Sequence, residues 1–235
     1  MNQEVLIERF FQTLINGDRN GAREIVQETM DAKVPAERLL TGLYYPTLKM
    51  IRKLYRSDQL TTLAHHFATR LLRSLVDQAQ LRLARRPRLN RRVLVACGET
   101  EPDEIASIMA ADLVEAGGFE VTYCGGGVAA DEIMARVGED RPDILLLFSS
   151  AATDLPGIRN LIDTLHDQGV CPNLQIVTGG GVYARAEGLA EEIGADLNIV
   201  DLETIVEDLV EFADQRATPD QRTVGRKRRA KTAAA

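Results

Sequence analysis

The sequence predicts a four-helix bundle followed by a five-stranded parallel α/β domain, and three observations carry that prediction. Apolar residues recur at helical spacing through residues 3–84. An arginine-rich segment, ARRPRLNRR, then interrupts the pattern, with Pro87 stopping the helix. After it come five short β-branched runs, each followed by a helical pattern.

In the first part, Val5, Leu6, Phe10 and Leu14 mark one helix, and Ile25, Val26 and Met30 a second. Asn16-Gly17-Asp18 separates them, with Asp18 the expected N-cap. Pro35 suits the first turn of a third helix running to about Arg56. Leu60, Leu63, Ala64, Phe67, Leu71 and Leu75 suggest the apolar stripe of a fourth. Short connections favour an antiparallel bundle over 1–84, joined by a basic linker, 85–92, that is expected to act as a hinge. The strands are expected at VLVAC (93–97), FEVTYC (119–124), DILLLFSS (143–150), LQIVTGG (174–180) and LNIVD (197–201). Helices are expected near 103–116, 129–139, 154–168, 183–193 and 202–215. Alternating strands and helices over 93–215 imply a parallel sheet covered on both faces, in the flavodoxin-like (Rossmann-like) order, with ligands at the carboxyl ends of the strands.

Composition narrows the function classes. Apolar residues make up 45% of the 235 and charged residues 27%, as in ordinary globular chains. No apolar run approaches the roughly 20 residues of a membrane span, and MNQEVLIERFF is not a signal peptide, so the expected location is cytoplasmic. Cys97, Cys124 and Cys171 are too few and too scattered for a disulfide framework. The net charge of −7 is uneven, because residues 216–235 alone carry +6. That tail has almost nothing to bury and is expected to be disordered, making electrostatic contact with an acidic partner or nucleic acid. The acidic remainder argues against broad nucleic-acid contact by the folded body.

The strand-end loops hold the candidate residues. In CGETEPDEIAS, Thr100 and Asp103 have capping-box spacing and Pro102 fits the first helical turn. Ser149 and Ser150 end the third strand, and Gly179 and Gly180 the fourth, where glycine lets a planar group approach the backbone. CGGGV (124–128) lacks the G-x-G-x-x-G spacing, which disfavours a nicotinamide cofactor. No catalytic residue is assigned, and the chain is not expected to be an enzyme.

Glu101-x-Asp103-x-x-Ala106, then EAGGFEV, the serine loop and IVTGGG, together resemble the cobalamin-binding regulatory and corrinoid-carrier proteins. In those proteins the first loop reads D-x-H-x-x-G. The resemblance places the cobalt-ligating histidine at Asp103, the serines along the channel for the cofactor's nucleotide tail, and the paired glycine beside its base. A carboxylate prefers harder cations than cobalt, so histidine-on ligation is not expected here. In the bundle, LYRSDQLTTLAHHFAT is similar to the W-x9-E-H cap of light-responsive cobalamin regulators, with Tyr55, His65 and His66 in the three places. Measured from Phe67, both histidines fall off the apolar stripe and are expected outside the core. With no helix-turn-helix pattern ahead of the bundle, the expectation is a stand-alone sensor, an antirepressor-like partner or a carrier subunit.

The resemblance thus implies a tetrapyrrole-binding sensor or regulator, responsive to light like the regulators it resembles, with cobalamin between bundle and strand ends. The alternatives are a corrinoid carrier subunit of a methyltransferase, or a cofactor-free interaction protein. A bilin or haem in place of cobalamin would make Cys97 and Cys124 conceivable thiol anchors, although buried structural cysteine is the simpler reading.

Overall fold

The computed structural model describes residues 3–218 and 221–222. The bundle runs α1 (Gln3–Ile15), α2 (Arg19–Asp31), α3 (Ala36–Leu39), a π turn (Leu40–Tyr44), α4 (Tyr45–Arg56) and α5 (Thr62–Gln80). Asp18 caps α2 by accepting from the Gly21 N–H at 3.0 Å, and Thr61 caps α5 by accepting from Ala64. The π turn joins α3 to α4 into one helical rod, and the Tyr45 N–H reaches the Leu40 carbonyl five residues back. Its cause is Pro46, which has no N–H and whose ring would meet the carbonyl of Gly42 in a regular helix.

The second part runs β1 (Arg92–Cys97), α6 (Glu101–Ala116), β2 (Glu120–Gly126), α7 (Ala130–Asp140), β3 (Ile144–Phe148), α8 (Leu155–Gln168), β4 (Gln175–Gly179), α9 (Leu189–Ile193), β5 (Leu197–Ile199) and α10 (Ile205–Glu211). All pairings are parallel, in the order β2-β1-β3-β4-β5, the expected flavodoxin-like arrangement. β3 and β4 are buried at every residue, as central strands covered on both faces must be. The stretch expected as one helix near 183–193 breaks into a 3-10 turn, Tyr183–Arg185, and α9, because Gly188 takes a left-handed φ of 78°.

One face of the sheet, with α6 and α10, shares a single hydrophobic core with the bundle: Phe10, Leu48 and Leu72 belong to the same cluster as Met109, Leu146 and Leu209. The other face packs against α7, α8 and α9. The linker is therefore not the free hinge expected from its composition. The Arg86 N–H donates to the Ala116 carbonyl at 2.7 Å and the Leu89 N–H to Gly118 at 2.8 Å, while Arg86 pairs with Glu207. Residues 216–218 and 221–222 also depart from the disordered tail expected. The Ala217 N–H donates to Asp196, Gln221 to the Ala195 carbonyl, and Arg222 to Asp163 at 2.6 Å. Polar docking of this kind leaves no trace in hydropathy. The strongly basic run TVGRKRRAK lies outside the described residues.

Candidate functional site

The loops after β1, β3 and β4 converge beneath the ends of α4 and α5, and polar side chains from the bundle bond to those of the first loop there. Thr100 begins α6, with its hydroxyl accepting from the Asp103 N–H at 3.3 Å, and Pro102 occupies the first turn. Asp103 is 1% exposed. Its Oδ2 accepts the Thr100 hydroxyl, its Oδ1 accepts the Ser150 hydroxyl, and the Arg52 guanidinium lies 3.5 Å from Oδ1. Arg52 comes from α4, so this ion pair ties the bundle to the first strand-end loop. Thr69 of α5 donates to Glu101 at 2.9 Å, and Arg73 donates to Glu104 at 2.5 Å. Burial chiefly lowers the proton affinity of Arg52, and Asp103 works in the opposite direction.

The histidines require a correction. His65 is 7% exposed and belongs to the buried face of α5 with Ala68, Thr69, Leu72, Val76 and Ala79. Phe67, taken as the centre of the apolar stripe, is 43% exposed. The helix is covered on two sides, by the bundle and by α6, and small residues at 68 and 69 let α6 approach. A count of large apolar residues therefore misplaces the buried face. His65 stacks on Tyr55, with ring centroids 3.9 Å apart and 21° between planes. Its Nδ1 is buried without a hydrogen-bond partner. Burial holds the imidazole below its usual range, and neighbouring His66 lowers it further, which favours the neutral ring. His66 is exposed, with its ring centroid 6.1 Å from that of His65. As expected of adjacent helical residues, only one histidine points inward.

Each remaining candidate is engaged within the protein. Ser149 donates to Asp154 at 2.7 Å and Ser150 to Asp103. Gly179 faces Phe148, whose ring would lie 2.8 Å from a Cβ built there, and Gly180, at φ 105°, backs onto the Ser149 carbonyl. The two glycines thus permit close packing of β3 against β4. Cys97 lies 3.8 Å from the Tyr123 hydroxyl, and burial pushes the thiols of Cys97 and Cys124 up, which is unfavourable for thiolate anchors. A cavity of about 310 Å³ opens at the carboxyl ends of β1 and β3, where the strand order reverses. Cys97, Glu99, Gly127, Ile133, Asp154 and Leu161 are among its lining residues.

Sequence reasoning missed Arg52 and Arg185. Arg52 stands three residues before Tyr55, hence on the same helix face, and that spacing was the available signal. Arg185 follows the glycine loop and donates to the Ser150 carbonyl at 2.6 Å.

The seam between bundle and strand ends fits a corrinoid in its general chemistry. It has an aromatic stack, a neutral imidazole with an unpartnered buried nitrogen, and guanidinium and carboxylate groups that can meet polar ring substituents. It does not fit ligation of cobalt by residue 103, because both oxygens of Asp103 are held by Thr100, Ser150 and Arg52.

Comparison with known proteins identifies the two halves. Residues 6–80 and residues 91–215 each match a family model described as B12 binding domain. The dimethylamine corrinoid protein 1 of Methanosarcina acetivorans is 29% identical over 105 residues, 44% of this chain and 48% of that protein. The chain thus spans about half the length of that relative. The monomethylamine corrinoid protein 2 of the same organism is 20% identical over 207 residues, covering 83% of this chain and 92% of its own length. Among solved structures, the Methanosarcina barkeri monomethylamine corrinoid protein superimposes with a TM-score of 0.69 at 17% identity, over 90% of this chain and 99% of that one, a likeness of fold. None of the helices among the described residues is long and apolar enough to cross a membrane. With one family model matching more than half of its 235 residues, the chain belongs to the B12 binding domain family.

Proposed function

We propose that the protein is a corrinoid carrier, holding cobalamin or a related corrinoid at the seam and presenting it to a methyltransferase partner. Two observations together carry this reading: bundle and α/β domain each match a B12 binding domain model, and 83% of the chain aligns with a protein named as a monomethylamine corrinoid protein. The seam supplies groups for the ring on both sides: Tyr55 and His65 from the bundle, and the Asp103 network from the strand ends. Cobalt chemistry belongs to the cofactor, whereas the protein orients the ring and excludes water. The test is titration of purified protein with hydroxocobalamin and methylcobalamin, followed by a methyl-transfer assay with methylamine methyltransferases. Absence of any spectral change, with haem and biliverdin as further probes, would sink the corrinoid reading.

A sensory role is the second reading, and one observation favours it. A carrier that tunes cobalt through a protein imidazole would need a histidine at the position the resemblance assigns to Asp103, and this carboxylate has both oxygens engaged by Thr100 and Ser150. Spectral binding without methyl transfer to any tested partner would favour the sensor.

A further inference from the structure

Two arginines converge where the glycine loop meets the bundle, and a third stands one helical turn from one of them. A Cβ built on Gly181 would lie 3.0 Å from Arg185 Nη1 and 3.7 Å from both terminal nitrogens of Arg52. The two guanidiniums therefore come over the same glycine from different elements, Arg52 from α4 and Arg185 from the loop after β4. Arg56, one helical turn beyond Arg52, adds a third positive charge that acts on both. Among the described residues, Asp103 is the carboxylate that pairs with Arg52 within 4 Å, and neither Arg56 nor Arg185 has such a partner. Asp103 also accepts two hydroxyls, so its charge is already shared. Arg185 binds a carbonyl oxygen, which fixes its direction without neutralising it.

Holding the Arg52 and Arg185 guanidiniums over one glycine, with Arg56 one helical turn away and a single carboxylate paired to Arg52, is unfavourable by mutual repulsion, and an oxyanion between them relieves it. At Arg52 burial lowers the proton affinity most, Asp103 opposes it, and Arg185 and Arg56 lower it further; at Arg185 burial and then Arg56 lower it against Asp103, in keeping with this crowding. Gly181 offers no side chain to fill the space. The seam's own ligand is the natural source of such a group, since free anions would have to compete with it.

We propose that Arg52, Arg56 and Arg185 form a seat for an oxyanion substituent of the bound corrinoid. This inference rests on the corrinoid reading above. Two sources have the required chemistry: the phosphodiester of a complete nucleotide loop, and carboxylates on the ring periphery. Cobinamide, whose periphery is amidated and which lacks the phosphate, has neither.

The test compares cobalamin, cobinamide phosphate, cobinamide and cobyrinic acid by spectral titration, with wild type and an Arg56→Gln/Arg185→Gln variant. Both substituted residues are exposed, so the variant keeps the fold, checked by its melting temperature. Wild type is expected to bind the oxyanion-bearing corrinoids at least about 10-fold more tightly than cobinamide, with the advantage shrinking as salt rises. In the variant the advantage should fall below about 3-fold while cobinamide binding is unchanged. Preference for cobalamin and cobinamide phosphate identifies the phosphate, and preference for cobyrinic acid identifies carboxylates. Equal binding of all four by wild type, or an equal loss for all four in the variant, overturns the seat and leaves the corrinoid reading standing. Failure of all four to bind wild type overturns both.

Discussion

Replacing Asp103 by alanine removes the acceptor for two hydroxyls and the partner of Arg52 in one step. The side chain is almost fully buried, so water cannot replace it fully. Breaking a buried ion pair costs about 3–5 kcal/mol when the remaining charge stays buried. The Arg52 side chain is 14% exposed and has a path to solvent, which lowers that figure. Ser150 is left with an unsatisfied buried hydroxyl at about 1–3 kcal/mol, whereas the Thr100 hydroxyl can still accept the residue 103 N–H. A net loss of about 3 kcal/mol follows, or roughly 6–12 °C in Tm for a chain of this size. Asp103→Asn, which keeps an acceptor oxygen, should lose about 1–2 kcal/mol. The assay is urea unfolding of wild type, Asp103→Ala, Arg52→Met and the double variant. The cycle should give a coupling of about 1–2 kcal/mol. Additive losses would refute the argument that this ion pair joins bundle to sheet.

Other outcomes follow from the same structure. The Asp112 carboxyl is pushed up to about 7, by burial first and then by Glu115 and Asp77. A raised acid destabilises the folded state as pH rises from its ordinary value through 7, so Asp112→Asn should raise stability at pH 8 by about 1 kcal/mol, after discounting for solvent screening, and change nothing at pH 3. Equal gains at both pH values would contradict this. Phe148→Ser should cost about 3–5 kcal/mol, because it empties space beside Gly179, and should raise cobalamin affinity relative to cobinamide if a base enters the space. Arg222→Ala should lose about 1 kcal/mol through its contacts with Asp163 and the Ile193 carbonyl, measured by thermal unfolding. Alkylation of Cys97 at pH 8 should be slow until the protein unfolds, and rapid reaction in native protein would contradict its raised thiol.

The strands were legible because central parallel strands are continuous apolar runs, and DILLLF has no competing reading. The caps at Asp18 and Thr100 were legible because capping is local in sequence. The burial of His65 was not, since it depends on α6 covering a second side of α5, a contact set by tertiary packing. The same limit hid Arg52 and Arg185: each takes its meaning from a residue far along the chain, Asp103 for one and Ser150 for the other. The linker and residues 216–218 and 221–222 failed for a different reason. Their order comes from backbone, amide and guanidinium hydrogen bonds to distant carbonyls and carboxylates, which composition does not encode.

The π turn at Leu40–Tyr44 sets the rotational phase of everything after it on the rod. Such a turn is an α-helix carrying one additional residue, and each helical residue advances about 100° around the axis. Deleting a single residue there, together with Pro46→Ala to remove the clash, would allow regular winding and swing Arg52, Tyr55 and Arg56 together by about that angle relative to Leu39. Three side chains from one helix face the strand ends because of that one-residue insertion, so its removal would disassemble the seam while leaving the sequence of every contact residue intact.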